Sequence, residues 1–181
     1  NEELPNSLQI EFKKTQTLRY GENPHQMGSR YRNTKKSSWW DSAVMHGGKE
    51  MSYLNVYDTD AAWRLVHSIS EEPSAVIIKH ANPCGAAISA DITSAYQLAY
   101  ECDPVSAFGG ITAVNREVTK DMAERLTEVF TEVLVAPGFT PEALEILCSK
   151  KNLRILEAEK PEQPSFEMRS IGNSLLVQTS D

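Results

Sequence analysis

The 181 residues are 40% apolar and 24% charged, the balance of a globular chain able to bury one real core, so a single domain over residues 1–181 is expected. The net charge of −7 argues against broad nucleic-acid binding, which draws its affinity from clustered Lys and Arg; a few placed cations still suffice for one small anion. No apolar run approaches the roughly 20 residues of a membrane helix and no basic-then-apolar leader opens the chain, so it reads as a cytoplasmic chain with no membrane partner.

In chain order, a run of helical and β-branched patterns begins near Ser52 and predicts an α/β layered domain. Asp58 is read as the cap of a helix carrying Ala62, Leu65, Val66 and Ile69, ended by Glu71-Glu72-Pro73. Ser74–Ile78 follows as a buried strand, with Lys79 and His80 at its carboxyl end, the edge where open α/β sheets bind ligands. Pro and Gly in His80-Ala81-Asn82-Pro83-Cys84-Gly85 are read as breaking regular structure. Asp91 opens a helix over 93–100, the turn-rich stretch 103–110 leads into a strand at Ile111–Asn115, and Thr119–Phe130 is helical. Strands are expected at Val133–Ala136 and Leu153–Leu156, with Thr140 and Pro141 starting the helix between them. Residues 158–170 read as a loop and Ser174–Gln178 as a strand. An initial Asn1 and an end at Asp181 just past that strand suggest a fragment of a longer protein.

Several segments carry groups suited to chemistry. Leu18-Arg19-Tyr20-Gly21-Glu22-Asn23-Pro24-His25-Gln26 reads as a binding loop: Arg19 offers a planar fork of donors for phosphate, Tyr20 a ring face and a hydroxyl. The plainer alternative is a solvated loop. Lys79 beside His80 suggests a general base with a neighbouring cation, and the alternative is a surface lysine next to a capping histidine. Phe108-Gly109-Gly110 permits close backbone approach with N–H groups for a phosphate or carboxamide, or is simply a turn. Glu132, ahead of an apolar strand, suits ligand hydroxyls or plain solvent.

Cys84, Cys102 and Cys148 are odd in number and irregularly spaced, which predicts reduced thiols. A zinc deaminase requires His-x-Glu and Pro-Cys-x-x-Cys. Here Asn82 stands two places after His80, and Ala87 replaces the second cysteine after Pro83-Cys84, so no metal is expected. His46 and His67 lack partners at ligand spacing, and Trp39-Trp40 reads as packing or interface surface.

Three of these segments in order, Leu18–Gln26, Lys79–Gly85 and Asp103–Gly110, resemble the bacterial AICAR transformylase family. The similarity continues through Val135–Leu144, Lys150-Lys151-Asn152-Leu153-Arg154 and Ser174–Gln178, with Leu54 and Asn173 departing where the family usually has Asn and Gly. The resemblance implies a three-layer α/β/α sandwich, cytidine-deaminase-like but without the zinc site, corresponding to the first of two tandem halves. It implies formyl transfer from the co-substrate 10-formyltetrahydrofolate to the 5-amino group of AICAR, in purine (IMP) biosynthesis. Arg19 and Tyr20 would contact AICAR, His80 would accept a proton, Lys79 would stabilise the transition state, and Gly109 and Glu132 would complete this half of the nucleotide site. The remaining contacts would come from the second half and across a homodimer interface, and a cyclohydrolase domain accompanies this one in most members. A noncatalytic nucleotide-binding or dimerisation module is the alternative.

Overall fold

A computed structural model describes residues 4–180; Asn1 and Asp181, behind the expectation of a fragment, lie outside them. The chain opens with an antiparallel ribbon of β1 (Phe12–Leu18) and β2 (Gly28–Asn33), followed by the single turn α1 (Trp39–Ser42) and β3 (Val44–Gly47). Then come α2 (Tyr53–Ile69), β4 (Ser74–Lys79), β5 (Asn82–Ile88), α3 (Ile92–Cys102), α4 (Pro104–Ala107) and β6 (Gly110–Val114). The chain continues through α5 (Lys120–Leu126), β7 (Thr131–Ala136), α6 (Pro141–Cys148) and β8 (Arg154–Glu157), and ends in a second ribbon of β9 (Phe166–Ile171) and β10 (Ser174–Thr179).

Six strands form a mixed sheet in the order β3-β8-β7-β6-β4-β5. β6, β7 and β8 are parallel, whereas β4 runs antiparallel to β6 and pairs with β5 as a hairpin. Alternate residues of each strand face opposite layers. Val76, Ile78, Ile111, Ala113, Val133, Val135 and Leu156 meet Ala62, Trp63 and Val66 of α2, together with Trp39. Ala75, Ile77, Val114, Leu134, Ala136 and Ile155 meet α3, α5 and α6 through Tyr96, Ala99, Met122, Leu126, Ala143 and Leu147. Helices therefore cover both faces, giving the expected α/β/α sandwich, and strands buried on both faces read as unbroken apolar runs. The Trp39-Trp40 pair is packing: Trp39 is buried, its ring 4.3 Å from that of Trp40 and 6.1 Å from that of Trp63.

The caps explain where the helices begin. Ser52, Asp91, Asp103, Thr119 and Thr140 each accept the N–H three residues on, satisfying a donor the helix itself cannot pair. Asp58 is thus not a cap; α2 begins at Tyr53 under Ser52. Asn82–Ile88 is a strand despite Pro83 and Gly85, because β5 is the edge of the sheet and needs pairing on one side only. The helix read over Thr119–Phe130 stops at Leu126. The loop expected at 158–170 gives way to β9 at Phe166, a ribbon strand whose exposure on both sides hides any alternation. Gly172, at φ +53°, and Asn173 close that ribbon. No helix among the described residues is long and apolar enough to cross a membrane.

Candidate functional site

The amino end of α2 is where the candidate residues come together. Ser52 and Asn55 form a reciprocal cap: Asn55 N–H donates to Ser52 Oγ at 3.2 Å, and Ser52 N–H to Asn55 Oδ1 at 3.1 Å. That leaves the Asn55 amide nitrogen pointing onward, and Nδ2 donates to Glu132 Oε2 at 2.6 Å. One turn further along the same face, the buried Asp58 carboxylate accepts from His80 N–H at 3.2 Å and from Ala81 N–H at 2.9 Å. The Arg19-Tyr20 loop joins through the main chain: Arg19 N–H donates to Met51 O at 3.1 Å, and Tyr53 N–H to Tyr20 O at 3.0 Å. Tyr53 is the first residue of α2, so its N–H is one of the helix's unpaired donors. The Arg19 guanidinium lies over the Tyr20 ring, 5.3 Å from its centre.

Lys79 and Gly109 are linked by a second set of contacts. Lys79 Nζ donates to Phe108 O at 3.0 Å. Gly109 takes φ +74°, a conformation that favours glycine, and its N–H donates to Phe130 O at 2.7 Å. The sequence offers that N–H to a ligand; in the structure it holds the Phe130 turn, and what calls for glycine at 109 is the left-handed backbone. The Asp103 cap that starts α4 positions this segment. Its carboxyl sits below the usual aspartate range because it accepts from the hydroxyl and N–H of Ser106. Its contribution to stability is present above the ordinary aspartate value of 3.8 and lost as pH falls below it. Replacement by Asn should therefore flatten the acid side of a urea-midpoint profile; an unchanged acid slope would count against the cap.

Asn55 and Arg154 are not singled out by the sequence, and Asp58 is singled out for a different role. Asn55 was hidden because Ser-x-x-Asn is a weaker helix-start signal than Ser-x-x-Glu, and Asp58 was misread as a cap. Arg154 stands inside the apolar run Leu153–Leu156, and a buried cation among apolar residues signals a polar task. The guanidinium is buried and reaches Glu50 O through Nη2 at 3.2 Å and Glu132 O through Nη1 at 3.5 Å. Burial pulls its pKa down, opposed by the Glu132 charge, and Arg19 adds repulsion. The Asp58 carboxyl is pushed up by burial and by the Glu132 charge, against the pull of the Ala81 and His80 N–H groups and the His80 charge.

The direction of the strands qualifies one expectation. Lys79 and His80 do end β4, but β4 opposes β6, so the site lies at the amino ends of β6, β7 and β8, beside Gly110, Thr131 and Arg154. Two cavities flank these residues in sequence. One of about 390 Å³ is lined by Phe130, Thr131, Lys150, Lys151 and Asn152 among others. The other, about 290 Å³, is lined by Leu18, Arg30, Tyr31, Trp40, Tyr53 and Tyr57 among others. Neither is lined by Lys79, His80 or Gly109. Among the described residues, no group of three or more His, Cys, Asp or Glu could hold a metal ion, and all three cysteines are free thiols. His46 is paired with Glu157 at 2.8 Å across β3 and β8. His67 lies edge-on to Trp63, and burial and the Lys160 charge draw its pKa down to about 4.

Comparison with known proteins matches the model of the AICARFT/IMPCHase bienzyme to residues 1–181. The chain belongs to this family. It is 50% identical over 184 residues to the bifunctional purine biosynthesis protein PurH of Bacillus cereus (strain 03BB102), covering 99% of this chain and 36% of that protein. It is 49% identical, with the same coverage, to PurH of Bacillus mycoides (strain KBAB4). The chain thus spans little more than a third of the length of these AICARFT/IMPCHase relatives. Among solved structures, RibD of Acinetobacter baumannii aligns with a TM-score of 0.38 at 16% identity, over 57% of this chain and 34% of that one.

Proposed function

We propose that this chain supplies one half of an AICAR transformylase site, which moves the formyl group of 10-formyltetrahydrofolate onto the 5-amino group of AICAR in the cytoplasmic synthesis of purines. The observation that carries the reading is the gathering of Arg19, Tyr20, His80 and Glu132 around one end of α2, with Lys79 and Gly109 joined beside them. In this reading the Arg19 fork and the Tyr20 ring hold the nucleotide, and Glu132, steadied by Asn55, takes its hydroxyls.

The amine to be formylated is conjugated with the imidazole ring of AICAR and is weakly nucleophilic. Removing its proton as the C–N bond forms is where a base helps most, and the exposed His80 imidazole serves as that base. Negative charge then grows on the formyl oxygen. The Lys79 ammonium, anchored through one of its N–H groups to Phe108 O, stabilises it and delivers a proton to the departing folate nitrogen. The remaining nucleotide and folate contacts come from the rest of a longer polypeptide and from a second copy in a homodimer.

A second reading is favoured by the 36% coverage of the relatives: alone, the chain is a nucleotide-binding or dimerisation module without turnover. Calorimetry with AICAR, followed by a formyl-transfer assay on the same sample, separates the two. AICAR should bind, with Arg19→Ala weakening it about tenfold to a hundredfold, the worth of a charge-assisted hydrogen bond. Turnover by this chain supports a self-sufficient enzyme; binding without turnover supports the module, and turnover that returns only in the full-length protein supports the half-site. No AICAR binding by either form would sink the enzyme and the nucleotide-binding module, leaving dimerisation alone.

A further inference from the structure

β4 and β5 are joined by a two-residue turn, His80-Ala81, closed by the Lys79–Asn82 pair. Both turn residues adopt left-handed backbone, φ 54° for His80 and 55° for Ala81. Two-residue hairpins of type I′ take positive φ at both positions, and Asn-Gly usually supplies it, because a Cβ is disfavoured there. Here neither residue is glycine, so something outside the turn must hold it. The two N–H groups of the turn point at the two oxygens of Asp58, a buried carboxylate on a separate element. Asn82 Nδ2 closes the other side by donating to His80 O at 2.8 Å.

We infer that Asp58 is a positioning residue that clamps the His80-Ala81 turn to α2 and so fixes where the imidazole is presented. The inference rests on the reading of His80 as the proton acceptor. Its bonds go to the two turn residues, beyond the last rung of the β4–β5 ladder, so the sheet does not depend on them. A carboxylate suits the task because both of its oxygens accept, whereas an amide would turn a donor toward one of the two N–H groups. Burying that charge beside Glu132 is unfavourable, and a site built only for stability would be served better by glycine at position 81.

The test uses the full-length protein. Asp58→Asn should lower kcat roughly tenfold to a hundredfold, the scale of a small misplacement of a reacting group, with the KM for AICAR nearly unchanged. Amide exchange measured by NMR should rise at least about tenfold at His80 and Ala81, while Val76, Ile77 and Ile78 keep their protection. Adding Ala81→Gly should leave kcat low, since glycine supplies the left-handed backbone without setting its direction. Full recovery by that glycine would reduce Asp58 to offsetting strain and overturn the inference. So would wild-type kcat or unchanged exchange in D58N while His80→Ala is inactive. Full turnover in His80→Ala would instead overturn the proton-acceptor reading, and the positioning role with it. If D58N does not fold, D58S, which keeps one accepting oxygen, is judged by the same outcomes.

Discussion

His80→Ala in the full-length protein should reduce formyl transfer about 10²- to 10⁴-fold, the contribution of a positioned general base, and leave AICAR affinity within a few-fold. The imidazole is exposed at the tip of the hairpin, and its removal opens no cavity in the core. The backbone tolerates the change: Ala81, the neighbouring turn residue, is already an alanine at φ 55°. The clamp is retained as well, because Asp58 holds main-chain N–H groups that any residue at position 80 supplies. The loss should therefore appear in kcat and not in stability. Single-turnover kinetics together with calorimetry would check this; turnover at the wild-type rate would end the assignment of His80 as the base. An equal loss of AICAR binding would make the residue a binding group.

Gly85→Ala should destabilise the fold by about 3 kcal/mol, at the upper end of what overpacking usually costs. A Cβ built there would lie 1.9 Å from the carbonyl oxygen of Ala99 and 2.8 Å from its carbonyl carbon. Both atoms belong to the backbone of α3, so no side chain can swing aside to make room. Either α3 lifts from the sheet or β5 leaves its register, and the core of Ala95, Tyr96 and Ala99 against Ala75 and Ile77 loosens. Guanidinium-midpoint measurements read the change. A midpoint unaltered by the methyl group would mean that the helix and strand are not packed this closely in solution.

Much of the sandwich was legible because its strands are buried on both faces and its helices are capped by side chains. Ser74–Ile78, Ile111–Asn115 and Val133–Ala136 read as apolar runs, and Asp91, Thr119 and Thr140 marked helix starts where the structure has them. β5 was missed because the proline and glycine that argue against a strand are tolerated at a sheet edge. The exposed ribbons β1–β2 and β9–β10 bury too little on either side to leave a clear alternation. The candidate residues themselves were legible as motifs. Their supports were not, because Asn55, Asp58 and Arg154 act on partners 77, 22 and 104 residues away, at Glu132, His80 and Glu50. A side chain bonded over that distance leaves only an oddity of composition in its own segment: a carboxylate within a helix, or a cation within a strand.

The two ways in which α2 grips its neighbours have unequal consequences for anyone redesigning specificity. Arg19 and Tyr20 are fastened by peptide groups alone, through Met51 O and Tyr53 N–H. Under the proposed function their side chains, stacked only on one another among the described residues, can be changed as a pair without disturbing that main-chain mounting. Glu132 is fastened by its own carboxylate, through Asn55. It can be exchanged only together with its holder, so a library that varies position 132 and leaves position 55 fixed would sample broken fittings more often than new chemistry.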